Sequence, residues 1–250
     1  VTLSSAARDG FMVFSHAGDD WRDCRAHVAA RLGRPAEYQP PYRRALPSDS
    51  GGAARLRWQE GTDPRRTIVQ RYLESRGLTL SDDIALRVVR FHEACPWRID
   101  SDTVERRPVM LTAFRSIADD RLVAVHRTLL SDEGRKLDRR MLGPVAGAAI
   151  KIDQDHDVEH GLSICEGFET GMAGRALGFR PVWALGSAGA IGEFPILSGV
   201  DTLTVLGETD DSGANARAIH ACGTRWTAAG REVVIATPRV AGDMNDALQS

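Results

Sequence analysis

From residue 161 to its end the chain alternates short apolar runs with helix-forming segments, and few folds accept that order. Leu162–Cys165 reads as a strand, and Phe168–Leu177 as a helix that stops at Gly178. Val182–Leu185 is a second strand, followed by the small-residue turn Gly186-Ser187-Ala188-Gly189. Thr202–Leu206 is a third, Ser212–Ala229 a helix ending at Gly230, and Val233–Ala236 a fourth strand. Short apolar runs without polar alternation suit strands covered on both faces, and helical crossovers between them make neighbouring strands parallel. The expectation is a small parallel sheet with flanking helices.

In an open parallel sheet, ligands gather beyond the carboxyl ends of the strands. The acids of this segment fall there: Glu166 after the first strand, Glu208, Asp210 and Asp211 after the third, Asp243 and Asp246 after the fourth. Carboxylates brought to one place repel one another unless a cation lies between them. A hard divalent ion with oxygen ligands, Mg²⁺ or Mn²⁺, meets that need. Gly167, Gly207 and Gly213 beside the acids allow tight turns and a close backbone approach to a phosphate. Any one of these acids is as well explained by a helix cap or a solvated loop. The three clusters in this order favour a metal site.

The upstream chain reads differently. Residues 2–14 suggest two short strands around Arg8-Asp9-Gly10, and Trp21–Leu32 has helical spacing. Residues 34–65 hold Pro35, Pro40, Pro41, Pro47, Gly51, Gly52 and Pro64 with little periodicity and read as a linker, with helical character only at 55–60. A helix runs from Thr67 to Ser75, and a second short one begins near Ser81. Val88–His92, Val109–Arg115 and Leu122–Leu129 read as strands, the last two forming a hairpin at Ala118-Asp119-Asp120. Two further short strands fall within 132–160. The resulting division is a segment over 1–33, a linker over 34–65, an α+β unit over 66–160 and an α/β unit over 161–250.

The net charge of −2 conceals a polarity, since residues 1–150 carry 25 basic and 20 acidic side chains and residues 151–250 carry 7 and 14. A basic half joined to an acidic half suits a phosphate-binding surface beside a metal-dependent site. Only Lys136 and Lys151 among the 32 basic residues are lysines. No apolar run approaches the ~20 residues of a membrane span, and the N-terminus lacks a signal pattern, so no membrane and a cytoplasmic location are expected. Cys24, Cys95, Cys165 and Cys222 are scattered, which argues against a disulfide framework or a zinc ribbon. The chain has no Walker A motif and hence no P-loop motor. Trp58, Trp97, Tyr72 and Phe114 could stack bases, but scattered aromatics read first as core.

The acidic motifs carry a resemblance. Cys165-Glu166-Gly167-Phe168-Glu169-Thr170, Ala184-Leu185-Gly186-Ser187-Ala188-Gly189, Glu208-Thr209-Asp210-Asp211-Ser212-Gly213 and Gly242-Asp243-Met244-Asn245-Asp246 together resemble a Toprim domain. That fold is shared by bacterial-type primases, topoisomerases and some nucleases. Its Asp-x-Asp departs here at the first position, where Glu208 keeps the carboxylate on a longer arm. Upstream, Tyr72-Leu73-Glu74-Ser75-Arg76-Gly77-Leu78, the Phe114–Arg127 hairpin and Lys136 before Leu142-Gly143-Pro144 are similar to the first subdomain of a primase core. The segment Phe14–Trp21 is similar to the end of a zinc module. It offers only His16 with Cys24 or His27, so zinc is not expected in this chain.

The resemblance implies an α/β fold: a small Toprim-type parallel sheet with flanking helices, an α+β primase-core subdomain before it and a zinc-module-like remnant at the N-terminus. It implies a DNA primase-like nucleotidyl transferase of phage or mobile-element type that makes RNA primers on single-stranded DNA. Glu166, Glu208 and Asp210 would be catalytic, with Asp243 joining them as ligands to Mg²⁺ or Mn²⁺. Arg127, Lys136, Gly167 and Gly213 would meet nucleotide or DNA, with Arg127 and Lys136 facing the acids across one cleft. Nucleoside triphosphates and single-stranded DNA are the implied partners, together with a separately encoded replicative helicase. The rivals are a Toprim nuclease and a nucleic-acid-binding module without turnover. His126 and His92 read as packed or solvated.

Overall fold

The computed structural model describes residues 2–3, 11–12, 27–28, 30–31, 50–209 and 213–250. Residues 1–48 and 49–250 are separate units. In the first, β1 (Thr2–Leu3) and β2 (Phe11–Met12) pair antiparallel, and the described residues of 27–31 are helical. The rest of the zinc-module-like segment and of the helix expected over 21–32 lies outside the described residues.

The second unit opens with α1 (Ser50–Glu60), inside the stretch read as a linker. That reading is corrected by packing. Ala54 and Trp58, one helical turn apart, are buried against Cys95, Trp97, Val109, Leu111 and Val125, and the Arg90 guanidinium lies 4.7 Å from the Trp58 ring centroid. Two anchors spaced four apart hold the helix, too few to register as a pattern beside Gly51 and Gly52. Next, α2 (Ile68–Ser75) is capped by Thr67, whose side chain accepts from the Val69 amide. The helix expected near Ser81 is absent. Ile84 and Ala85 bond back to the Ser81 carbonyl, and the chain then reverses at Leu86, whose φ of 69° ends any helical path.

A meander follows: β3 (Val89–Arg98), β4 (Val104–Ser116), β5 (Leu122–Leu130) and β6 (Lys136–Leu142). It runs into β7 (Ala148–Lys151), β8 (Gly161–Cys165), α3 (Phe168–Ala176), β9 (Val182–Ala184), α4 (Ala188–Gly192), β10 (Thr202–Leu206), α5 (Ala214–Ala228), β11 (Glu232–Ala236) and α6 (Met244–Gln249). Strands β8 to β11 are mutually parallel in the spatial order β11-β10-β8-β9. The strands of the meander are antiparallel. The two sets form one nine-stranded sheet through β7, which pairs with β9 on one side and with Arg115–Ser116 of β4 on the other.

One core accordingly runs through both halves, from Val69 and Leu73 of α2 across Met110 and Phe114 to Phe168, Met172 and Leu206. Helix α3 lies close on the sheet because Gly171 and Gly174 face it. A Cβ at Gly171 would come 2.5 Å from Ile152 Cδ1, and one at Gly174 would come 2.4 Å from Leu206 Cδ1. Among the described residues no helix is long and apolar enough to cross a membrane.

Candidate functional site

Strand β8 ends at Cys165, and the chain turns through Glu166 and Gly167 into α3. Gly167 is the N-cap of that helix, where an added Cβ would lie 3.3 Å from Thr170 Oγ1. Glu166, Gly167, Glu208 and Asp243 line a cleft of about 440 Å³. Arg76 at the end of α2, with Lys136 and Arg139 on β6, lines the same cleft. The acids make a shared negative field. Burial pushes the Cys165 thiol well up, and the charges of Asp243, Glu208, Glu166 and Glu169 push it in the same direction. Asp210 lies outside the described residues. Gly213 has the left-handed conformation, φ 84°, and serves as the N-cap of α5. It is not among the residues that line the cleft.

Asp243 reaches the cleft as a helix cap. One oxygen accepts from the Asn245 amide at 2.7 Å and the Asp246 amide at 3.2 Å. The other accepts from the Thr170 hydroxyl at 2.5 Å. The Asp243 amide in turn donates to Asp246 at 2.9 Å, completing a capping box on α6.

The sequence reading assigned no role to Glu169. It lies in the first turn of α3, 8% exposed. Its Oε1 accepts from the Tyr72 hydroxyl at 2.6 Å and faces Lys136 Nζ at 3.4 Å. Burial alone would raise its carboxyl, but the Lys136 charge and the Tyr72 hydroxyl hold it below the ordinary value. Burial, followed by the Glu169 charge, raises the Tyr72 phenol. His126 packs beside this group, and burial brings its imidazole down to about 4 against the pull of Glu169. Helical phase held the signal for Glu169: it stands three residues beyond Glu166, near the positive end of the helix.

Lys136 lies in the cleft, as expected, through a bulge. Leu130 pairs with Lys136 and Leu129 with Asp138, so Leu137 is an extra residue that brings Lys136 to the face of Arg139 and Met141. The expectation for Arg127 is corrected. Successive strand residues point to opposite faces, and on β5 it is His126 that faces the acids. Arg127 points the other way, donating to the Pro96 carbonyl at 3.1 Å with its guanidinium 5.4 Å from the Trp97 ring. Trp97 itself is fully buried and so offers no stacking surface.

Glu166, Glu208 and Asp243 supply hard oxygen donors on one cleft, which fits a divalent cation in donor chemistry. Among the described residues, however, no three His, Cys, Asp or Glu side chains are gathered into a group that could hold an ion.

Parallel strands with acids at their carboxyl ends, continuous with an antiparallel meander in one sheet, define the class: an α/β protein with the fold of a primase catalytic core. Residues 161–250 match the family described as the Toprim domain, and residues 48–152 match one described as a domain of unknown function, DUF7146. No curated protein matches the sequence. A DNA primase domain from Pseudomonas aeruginosa is similar with a TM-score of 0.56 at 16% identity, over 80% of this chain and 74% of that one. The DnaG primase catalytic domain bound to single-stranded DNA is similar with a TM-score of 0.56 at 14% identity, over the same shares. The zinc-binding and RNA polymerase domains of Aquifex aeolicus primase are similar with a TM-score of 0.54 at 11% identity, over 92% of this chain and 64% of that one.

Proposed function

We propose that this chain is a metal-dependent nucleotidyl transferase that makes RNA primers on single-stranded DNA in phage or mobile-element replication. One arrangement supports the reading most. Glu166, Glu208 and Asp243 line the same cleft as Lys136, at the carboxyl ends of parallel strands in a fold similar to primase cores. Glu166, Glu208 and Asp210 are the residues to hold Mg²⁺ or Mn²⁺, with Asp243 beside them at the cap of α6. When bound, such an ion offsets the charge that develops at a nucleotide's α-phosphate. Lys136, Arg76 and Arg139 supply the facing positive charge for a triphosphate, and Gly167 admits it close to the backbone. The single-stranded DNA in the similar DnaG structure supports a DNA template. A separately encoded helicase would supply that template in open form.

The test is incubation with single-stranded DNA, labelled nucleoside triphosphates and Mg²⁺ or Mn²⁺, with labelled primers the expected product. Shortened DNA would replace the reading with a nuclease that activates water through the same acids. A mobility shift without product would leave a binding module.

A further inference from the structure

We infer that Glu169 is a positioning residue whose buried carboxylate tethers the Lys136 ammonium over the cleft; the inference rests on reading that cleft as a nucleotide site. Glu169 starts α3 beside the acids, yet its own carboxylate is engaged within the protein. Oε1 takes the Tyr72 hydroxyl at 2.6 Å and stands 3.4 Å from Lys136 Nζ. Three elements, α2, β6 and α3, thus meet on one oxygen. The Lys136 side chain stays 34% exposed, so its ammonium can meet a ligand while it is tethered. A lysine side chain has a long flexible stem, and a tether removes that freedom before a triphosphate arrives. The bulge at Leu137 brings Lys136 to this face, and Glu169 fixes where along it the charge stands.

Glu169→Gln separates tethering from packing, because the amide keeps the size and can still accept from Tyr72 but loses the charge. An untethered ammonium is a full cation, so nucleotide should bind at least as well, while its phosphates are held less uniquely. The expected result is a KM for nucleotide that is unchanged or lower, with kcat for primer synthesis about ten- to a hundredfold down. Lys136→Ala should lower kcat and raise KM, and adding Glu169→Gln to it should change nothing further. Tyr72→Phe reports the structural share, since it removes the hydroxyl alone. Three results overturn the inference: wild-type kcat in Glu169→Gln, an equal further loss of kcat in the Lys136→Ala background, or a kcat loss that follows a drop in Tm reproduced by Tyr72→Phe.

The underlying reading fails by a different signal. Lys136 and Lys151 are the only lysines, and the Lys151 side chain is 1% exposed. Amine labelling read by peptide mass spectrometry should therefore mark Lys136, and ATP should protect it. A Lys136 that ATP does not protect, or a wild-type protein that makes no primer, overturns the nucleotide reading and this inference with it. Intact protection with an unaltered Glu169→Gln kcat overturns the inference alone.

Discussion

Asp243→Ala should destabilise the protein in metal-free buffer, because this side chain already serves the fold. Its Oδ1 satisfies two amides at the start of α6, at 2.7 and 3.2 Å. Removing an Asp N-cap costs about 1 kcal/mol. Its Oδ2 also takes the Thr170 hydroxyl at 2.5 Å, which ties α6 to α3. Bonds to charged groups contribute about 1.5–3 kcal/mol when buried, and at this half-buried cleft wall roughly 1 is the fair figure. The sum is about 2 kcal/mol, or about 4–8 °C in Tm for a unit of this size. Asp243→Asn should recover most of it, since Asn caps as well as Asp. Urea unfolding and thermal melts followed by circular dichroism, both in EDTA, read the effect. An alanine variant as stable as wild type in EDTA, or an asparagine variant as unstable as the alanine one, would refute the reasoning. A drop seen only when Mg²⁺ is added would mean that the carboxylate's structural work is done through a cation.

Three further outcomes are expected. The His126 imidazole titrates near 4 in the folded chain against an ordinary 6.5. The unfolded chain therefore takes up the proton first, and stability complete above pH 6.5 should fall by about 3 kcal/mol toward pH 4; a stability–pH profile in which His126→Gln keeps that slope would reject this origin. Arg127→Met should lower Tm through lost contact with Trp97 and the Pro96 carbonyl while leaving ATP binding unchanged by calorimetry; weakened binding at unchanged Tm would return Arg127 to the cleft. Asp210→Asn should abolish primer synthesis with the melting curve intact, and Glu208→Asp should retain it, since the shorter arm restores the family side chain; full activity in Asp210→Asn would end the metal-site assignment.

The four parallel strands of the C-terminal half were legible as short apolar-rich runs between helical segments that end at glycines. But α4 read as a small-residue turn, α6 was not read, and β11, expected to be covered on both faces, leaves Val234 and Ile235 exposed at the sheet edge. Thr202–Leu206 is the same in sequence and structure, and β8, β9 and β11 differ only at their ends. The cleft acids Glu166, Glu208 and Asp243 were legible because strand ends are fixed by topology. What escaped was decided by neighbours rather than by pattern. Arg127 and His126 are adjacent on one strand, and only the packing of Trp97 on one face and α3 on the other decides which meets the acids. The bulge that aims Lys136 leaves no trace in a run of charged residues. Glu169 looked like one more helix-start acid until Tyr72, 97 positions earlier, closed on it.

Strand β7 bears on how the chain can be divided. Its four residues fall within the first matched family segment, which ends at 152, before the Toprim segment begins at 161. Yet Ile150 and Lys151 bond to Ala184 and Trp183 of β9, while Ala148 and Ala149 bond to β4. A boundary drawn by ancestry thus cuts through a continuous ladder. Residues 161–250 made alone would present β9 as a bare edge and lay open the apolar side of α3, both of which invite pairing with other copies. The N-terminal piece would lose the partner of half its last strand. Two segments that are separable as sequences share one sheet and one core, so a melt should show them losing structure together rather than one after the other.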